Sequence, residues 1–183
     1  MTPASAVRTR CPAALTDAIR AATAQHADWQ QTAVLVADAL RLHLPGPEIL
    51  TAAEAEGSPD GYISHTLHTE PDGSFSVCAL VWRPGQQTPI HDHVTWCVVG
   101  VLQGAEYEEL FALRDRETAL AEVGRSVNEI GSVSGFAPPG DIHRVRNHAT
   151  EVAISLHVYG ADIARLGSSV RRIYDLPVLT PVP

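Results

Sequence analysis

The sequence has no hydrophobic run long enough to span a membrane, no block of basic residues and no paired set of cysteines. A membrane-spanning helix needs roughly 20 apolar residues in succession, so none is expected. The first residues, MTPASAVRTRCPAAL, lack the apolar core of a secretion signal. The formal net charge is −8, from 13 basic and 21 acidic side chains, which argues against nucleic acid or an anionic membrane as a partner.

The cysteines indicate a reducing environment. There are three, Cys11, Cys78 and Cys97, and their odd number and wide spacing do not suggest a disulfide framework. A hydrophobic content of 45% and a charged content of 19% are ordinary for a globular protein, and 183 residues can form one domain around a single core. We therefore expect one cytoplasmic domain over residues 1–183, as a monomer or a small homo-oligomer.

Two helices are predicted near the N-terminus, within residues 12–44. Apolar residues recur at three- and four-residue steps in PAALTDAIRAATAQ, and Pro12 stands near the start of this pattern. A second helix is expected from about Trp29 to Leu44, where the sequence Pro-Gly-Pro ends it.

From about residue 60 the pattern changes to short strands separated by glycine and proline turns. The candidate strands are YISHTLHT, SFSVCALVW, TWCVVGVL, AEYEELFAL, HRVRNH and EVAISLHVYG. Short strands at this spacing, with no helices between them, favour an antiparallel barrel or sandwich over a parallel sheet. The expected fold class is mainly β, with a barrel over about residues 60–175 and a small N-terminal helical lobe.

Three histidines are candidate metal ligands. His91 and His93 form an H-D-H sequence, and on a strand they point to the same face. If that face is the barrel interior, the two imidazoles converge, and His143 in PPGDIHRVRN is the best candidate for a third ligand from a distant strand. Neutral imidazoles suit iron, copper, zinc and nickel alike. The alternative for an H-x-H pair alone is a surface strand with two solvated histidines.

The two segments that carry these histidines resemble the two sequence motifs of the cupin superfamily. The first motif, G-x5-H-x-H-x3,4-E-x6-G, corresponds to GQQTPIHDHVTWCVVGVLQG, with Cys97 in the position of the glutamate. The second, G-x5-P-x-G-x2-H-x3-N, is matched from Pro138 to Asn147, with its leading glycine, Gly131, displaced by one residue. The resemblance implies a single cupin domain whose double-stranded β-helix barrel holds a metal inside.

A cysteine in the position of the glutamate leaves three neutral histidines, so a ferrous ion keeps its full charge and favours an anionic ligand such as a thiolate. This combination is similar to the thiol dioxygenases, the family of cysteine dioxygenase and 3-mercaptopropionate dioxygenase, over roughly residues 60–175. In eukaryotic-type cysteine dioxygenases a cysteine at this position forms a thioether bond with an active-site tyrosine. The resemblance implies that Cys97 is not a metal ligand and is a candidate for such a cross-link to Tyr159. The alternative is an unmodified cysteine that packs like a small apolar residue.

Ser155, His157 and Tyr159 alternate in ISLHVYG, as a serine, a histidine and a tyrosine do on one late strand in that family. Because they share a strand face, they can form a hydrogen-bonded relay. The resemblance implies that Tyr159 holds its phenol near the open metal positions, while His157 and Ser155 fix the orientation of that phenol. The alternative is a barrel strand with polar residues that face solvent.

Residues that bind the substrate are expected at both ends of the barrel sequence. Cysteine dioxygenases read the substrate carboxylate with an arginine two residues after a tyrosine, and here Tyr62 is followed by Ser64. Trp96 and the sequence HVYGADI resemble the corresponding residues of the bacterial mercaptopropionate enzymes. Arg171 or Arg172, in a segment where that group carries arginines, could bind the carboxylate bidentately. The alternative for the arginine pair is a solvated position on the last strand.

The resemblance implies a non-haem Fe(II) dioxygenase that adds both atoms of O2 to the sulfur of a small carboxylate-bearing thiol and yields a sulfinic acid. The thiol would be 3-mercaptopropionate, cysteine or a related mercapto acid. Two other functions are compatible with the residues. One is another three-histidine cupin enzyme, a carbon-cleaving dioxygenase or an isomerase, and the other is a non-catalytic cupin that binds a metal or a small ligand.

Overall fold

A computed structural model describes residues 10–179, and no helix in this range has the length and apolar character needed to cross a membrane. The helices in this range are α1 (Ala13–Thr23), α2 (Trp29–His43), α3 (Ala52–Ala55) and α4 (Ile163–Leu166). The strands are β1 (Ile63–Thr69), β2 (Ser76–Trp82), β3 (His91–His93), β4 (Cys97–Gln103), β5 (Ala105–Arg114), β6 (Ala119–Glu129), β7 (Val133–Phe136), β8 (His143–Arg146), β9 (Ala153–Tyr159), β10 (Val170–Ile173) and β11 (Val178–Leu179). The two predicted N-terminal helices and all six candidate strands are present, with strand ends that differ by up to two residues.

The strands form two sheets that curl around one interior. The first sheet has the order β1-β2-β9-β4-β7, and the second has the order β10-β3-β8-β5-β6-β11. Neighbouring strands run antiparallel except β11, which pairs with β6 in parallel. The predicted fold class is therefore confirmed: a mainly β barrel of the cupin type with helices at its N-terminal end.

The helical lobe covers the outer face of the first sheet. The buried residues of α1 recur at helical spacing, as Leu15 and Ile19 illustrate, and Val36 and Leu40 do the same in α2. These four side chains belong to the same apolar cluster as residues of the central strands β2, β4 and β9. The central strands β2, β4 and β9 are consequently buried on both faces, between the helices on one side and the barrel interior on the other.

Because β9 is buried on both faces, its alternate side chains face either the helices or the barrel interior. All seven residues of the strand are buried. Leu156 and Val158 pack in the apolar cluster under the helices, whereas Tyr159 belongs to a second cluster inside the barrel. Since side chains alternate along a strand, Ser155 and His157 face the interior together with Tyr159.

The C-terminal tail, LPVLTPVP, begins at Leu176. Within the described residues it runs along the second sheet, where Val178 and Leu179 form β11 opposite Leu120 and Ala121 and are partly exposed. The rest of the tail lies outside the described residues.

Candidate active site

The three candidate histidines meet inside the barrel. His91 and His93 lie on β3 and His143 lies on β8, and His91 is the direct strand partner of His143. The ring centroids of the three pairs are 4.7, 4.8 and 5.0 Å apart. One ligand atom from each ring lies within 4.8 Å of the others, and all three residues are buried. This cluster could hold a metal ion.

Protein acceptors fix the orientation of all three imidazoles. Each ring makes a hydrogen bond through Nδ1. The acceptors for His91, His93 and His143 are, in that order, the Pro89 carbonyl oxygen at 2.9 Å, the Asp141 carboxylate at 3.1 Å and the Glu108 carboxylate at 2.7 Å. When Nδ1 donates to such an acceptor, the Nε2 atom is left unprotonated and can bind a metal.

Burial keeps His91 and His93 neutral, whereas the carboxylates of Glu108 and Asp141 stay ionised. Burial, reinforced by the neighbouring histidines, lowers the pKa of His91 to about 3, and burial also lowers the pKa of His93. Burial by itself raises the pKa of Glu108, but the hydrogen bonds from His143 and Asn128, together with the electrostatic interaction with His143 and His93, outweigh it, so the net pKa is lowered. The same balance, with His93 as the hydrogen-bond donor, lowers the pKa of Asp141. Three imidazoles with oriented Nε2 atoms fit a divalent transition metal.

A cavity of about 350 Å³ opens onto the histidine cluster. Both sheets and the segment around α4 contribute to its wall. Besides the three histidines, the residues that line it include Tyr62, Ser64, Trp82, His157, Tyr159 and Ser169. The Tyr62 and Trp82 rings lie against each other, with centroids 4.4 Å apart.

Ser155, His157 and Tyr159 form a continuous hydrogen-bonded chain that ends at this cavity. The Tyr159 hydroxyl lies 3.2 Å from Nδ1 of His157, and Nε2 of His157 lies 2.9 Å from the Ser155 hydroxyl. The Trp82 indole N–H donates to the same Ser155 oxygen at 3.1 Å. Burial lowers the pKa of His157 to about 3 and raises the pKa of Tyr159 well above its usual value. The histidine is thus neutral, and the phenol keeps its proton.

Cys97 lies beside Tyr159 and outside the histidine cluster. It is the direct partner of Tyr159 in the β4–β9 ladder, and its Sγ atom is 4.0 Å from Nδ1 of His157. Burial raises the pKa of the Cys97 thiol well above its usual value, so the thiol is protonated.

The substrate-binding residues predicted from the sequence divide into two groups. Tyr62 and Ser64 line the cavity. Trp96 does not: it is buried in the apolar cluster under the helices, where its indole lies against Gly160. Its expected contact with substrate is therefore corrected to a packing role, because the side chain lies on the helix-facing side of the barrel wall.

Arg171 and Arg172 also lie away from the cavity. The pairing of β10 with β3 shifts its register between Val170 and Arg172, so both arginines lie on the outer side of the barrel while Val170 lines the cavity. Such a bulge lets two residues oppose one on the neighbouring strand. Arg171 is hydrogen-bonded to Asp92, and the Arg172 guanidinium lies 4.5 Å from the ring centroid of Tyr174. The expectation that Arg171 or Arg172 binds the substrate carboxylate is corrected accordingly, because neither side chain reaches the cavity.

Three residues that support the site were not identified from the sequence. Glu108 and Asp141 accept hydrogen bonds from two of the candidate ligand histidines, and Trp82 anchors the far end of the serine–histidine–tyrosine chain. Asp141 had a local signal, since it stands two residues before His143 in the second motif. Glu108 had none, because 35 residues separate it from the histidine that it binds.

Several solved structures share part of this fold at low sequence identity. They include a crystal structure from Thermus thermophilus with 20% identity, covering 57% of this chain and 87% of the other, at a TM-score of 0.43. A conserved protein with a double-stranded β-helix domain from Klebsiella pneumoniae has 16% identity, with coverage of 62% and 89% and a TM-score of 0.47. A Cupin 2 conserved barrel domain protein from Salinispora arenicola has 20% identity, with coverage of 58% and 82% and a TM-score of 0.42.

A family model identifies the relationship. The model for cysteine dioxygenase type I, a family of the cupin superfamily, matches residues 58–166. The matched range begins just before β1 and ends at the last residue of α4, so it includes the three histidines, Cys97 and the chain that ends at Tyr159. Because this match covers more than half of the sequence, the protein belongs to the cysteine dioxygenase type I family.

Proposed function

We propose that this protein is a non-haem Fe(II) dioxygenase that adds both atoms of dioxygen to the sulfur of a small thiol. The observation that carries the proposal is that the three-histidine cluster and the Tyr159 hydroxyl face one cavity. Membership of an iron-dependent dioxygenase family supports it. The reaction is balanced without a further reactant, since a thiolate and O2 together have the atoms and electrons of a sulfinate.

His91, His93 and His143 would hold the iron through their Nε2 atoms. When bound, Fe(II) would supply a binding site for the substrate sulfur and the redox chemistry with dioxygen. Because the three candidate ligands are imidazoles and none is a carboxylate, no protein ligand offsets the charge of the metal, and an anionic sulfur is favoured there. Glu108 and Asp141 keep the rings in place and increase the basicity of the nitrogens.

Tyr159 would orient the reacting molecules. Its hydroxyl is held by His157, whose low pKa keeps it neutral, so the histidine positions the phenol and does not act as a general acid. Trp82 and Ser155 in turn fix the histidine ring. A phenol that keeps its proton can offer a hydrogen bond to an oxygen or sulfur atom in the cavity.

The acid end of the substrate would be held by hydroxyl groups. The sequence resemblance implies a carboxylate-bearing thiol, such as 3-mercaptopropionate, cysteine or a related mercapto acid. Among the described residues that line the cavity there is no arginine, whereas Tyr62, Ser64 and Ser169 offer hydroxyl donors there. We therefore propose that these hydroxyls, and not Arg171 or Arg172, receive the carboxylate.

Oxygen consumption by the Fe(II)-loaded protein over a panel of small thiols tests the function. The panel should contain 3-mercaptopropionate, cysteine, mercaptosuccinate and cysteamine, with the sulfinic acid identified by mass spectrometry. We expect one molecule of O2 consumed for each sulfinate formed. Full iron loading without oxygen uptake on any thiol would overturn the proposal and favour another three-histidine cupin.

Two variants and a matched control sharpen this test. His143→Ala should lose iron binding, and Tyr159→Phe should keep the iron but lower kcat by roughly 10–100-fold. His148→Ala is the control, because His148 is exposed and lies five positions beyond His143 on the same segment. It should bind iron and turn over thiols as the unmodified protein does.

A further inference from the structure

One edge of β6 is left uncovered by every described strand along most of its length. The strand pairs on one side with β5, from Ala119 to Glu129. On its other side it pairs, among the residues that the structure describes, only with β11, at Leu120 and Ala121. Residues 122–129, called the β6 edge below, therefore present backbone N–H and C=O groups to solvent. Such groups can pair with a strand of another molecule.

The side chains along the β6 edge are exposed, and several of them are apolar. Arg125, Val127 and Glu129 alternate along the strand, so they share one of its faces, and all three are exposed. Val127 is 59% exposed. Val123 near the start of the edge is 55% exposed, and Ile130 just beyond its end is 67% exposed. Three large apolar side chains in contact with water along one short segment indicate a surface that another protein covers.

The order of residues along the edge is self-complementary. Arg125 stands two residues before Val127, and Glu129 stands two residues after it. When two copies of the edge pair antiparallel about Val127, Arg125 of each copy lies directly opposite Glu129 of the other, and the two valines meet at the centre. On the other face of the strand, Ser126 of each copy lies opposite Asn128 of the other, and these side chains can form hydrogen bonds.

Other registers of the same pairing lack this match. Opposite side chains in a sheet lie on the same face, so the residue on the two-fold axis must face its own copy. A register centred on Arg125 or Glu129 places like charges opposite each other, which is destabilising. A register centred on Ser126 places Arg125 opposite Val127, and one centred on Asn128 places Glu129 opposite Val127. Within this segment, only the register centred on Val127 forms opposite-charge pairs.

Both charged side chains are available for a partner. The Nε atom of Arg125 lies 2.5 Å from a carboxylate oxygen of Glu122 in the same chain, yet the Arg125 side chain is 62% exposed. A guanidinium has several N–H donors, so it can bind Glu122 of its own chain and Glu129 of the other copy together. The Glu129 carboxylate forms no ion pair or side-chain hydrogen bond with any residue that the structure describes.

We propose that this protein forms a two-fold symmetric homodimer in which the β6 edges of two copies pair antiparallel about Val127. The pairing joins the second sheets of the two copies into one continuous sheet. It also places Val123 of each copy next to Ile130 of the other, so the exposed apolar side chains are covered. The interface is isologous and therefore closed, which prevents the edge from adding further copies. The dimer does not depend on the proposed reaction, because none of these residues lines the cavity.

Sedimentation velocity of the full chain, from micromolar to submillimolar concentration, tests the dimer. We expect a reversible equilibrium between monomer and dimer, with no larger species. Val127→Asp places two carboxylates against each other at the two-fold axis and should leave only monomer. Because Val127 is exposed in the single chain, this variant should keep the circular dichroism spectrum and the Tm of the unmodified protein.

Exchange of the two charges tests the register. Arg125→Glu and Glu129→Arg each create two like-charge pairs in the symmetric dimer, so each should raise the dissociation constant by roughly tenfold or more. The double variant Arg125→Glu/Glu129→Arg forms both pairs again with the signs reversed. Its dissociation constant should return to within about threefold of that of the unmodified protein, since the two changes compensate each other.

Two control variants separate the interface from general surface effects. Glu122→Gln removes the ion pair within one chain and leaves the pairs between copies in place. Val34→Asp adds a charge at a valine of α2 that is 53% exposed. Both should dimerise as the unmodified protein does. A chain that stays monomeric at every concentration, a dimer that persists in Val127→Asp, or a double variant as weak as the single ones would overturn the proposal.

Discussion

Cys97 and Tyr159 lie directly opposite each other on β4 and β9, and both side chains point into the barrel. The two residues also share a neighbour, because the Cys97 sulfur is 4.0 Å and the Tyr159 hydroxyl 3.2 Å from the same Nδ1 atom of His157. Cross-strand partners have Cβ atoms about 4.5–5.5 Å apart, so the sulfur can reach the tyrosine ring without a change in the backbone.

This pairing predicts a thioether between Cys97 and Tyr159 after turnover with iron and dioxygen. Its formation joins sulfur to a ring carbon and removes one hydrogen from each residue, and dioxygen accepts the two electrons and two protons. Intact mass should therefore decrease by two hydrogens, and a cross-linked peptide should appear after digestion. Cys97→Ser should abolish the change, while Cys78→Ser, at a buried cysteine on β2, should retain it. An active enzyme whose intact mass shows no loss of two hydrogens would contradict the prediction.

Glu108 is expected to contribute to metal affinity without contacting the metal. It accepts the Nδ1 proton of His143, and the loss of such a partner typically weakens metal binding by roughly 10–100-fold. Glu108→Gln should show this loss in a competition with a chromophoric chelator. Glu109→Gln, which changes the opposite face of the same strand, should bind iron as the unmodified protein does. Equal losses in both variants would mean that β5 as a whole had been disturbed.

The parts of the site that could be predicted from the sequence are those that follow the two-residue repeat of a strand. His91 and His93 were expected on one face because one residue separates them, and the same reasoning applied to Ser155, His157 and Tyr159. The structure brings these five side chains to one interior. The motif spacing added His143, which lies on a separate strand.

The positions of Arg171 and Arg172 and the strand β6 were not predicted from the sequence, because these segments depart from the two-residue repeat. The bulge in β10 turns Arg171 and Arg172 outward, and alternation alone gives no sign of a bulge. The strand β6, ALAEVGRSVNE, was missed because it is largely exposed and lacks a regular apolar alternation. It pairs along its length with β5, the strand just before it in the sequence.

The hydroxyl groups at the cavity are expected to control the affinity for carboxylate-bearing thiols. A hydrogen bond to a charged group contributes about 1.5–3 kcal/mol, so Ser64→Ala should raise KM for the best acidic thiol by roughly tenfold or more. Its KM for cysteamine should not change. Arg172→Gln should leave both values within about twofold, since that side chain lies outside the cavity. An increase in KM in Arg172→Gln alone would restore the arginine as the carboxylate anchor.

The packing of the helical lobe can be tested with two leucines of α2. Leu40 is fully buried against the first sheet, whereas Leu42 is 80% exposed. Leu40→Ala should reduce the free energy of unfolding by about 2–5 kcal/mol, because it leaves a cavity under the helix. Leu42→Ala should change it by less than about 0.5 kcal/mol. Urea denaturation of both variants measures the difference, and similar values for the two would contradict the buried position of Leu40.

His157 should make the stability of the metal-free protein depend on pH. Burial lowers its pKa from 6.5 to about 3 in the folded protein. Between these values the unfolded chain binds a proton at His157 that the folded protein does not bind. The contribution to stability is therefore complete above pH 6.5 and decreases as the pH falls towards 3.

Urea unfolding of the metal-free protein at several pH values measures this dependence. His157→Gln should give a shallower loss of stability between pH 6.5 and 3 than the unmodified protein. A residual slope should remain, since His91 is buried with a pKa lowered to about 3 as well. His148→Gln is the matched control at an exposed histidine outside the cavity, and this variant should follow the unmodified protein. If the curves of His157→Gln and the unmodified protein run parallel, His157 is not held neutral by burial, and its role as a fixed neutral support for Tyr159 fails with it.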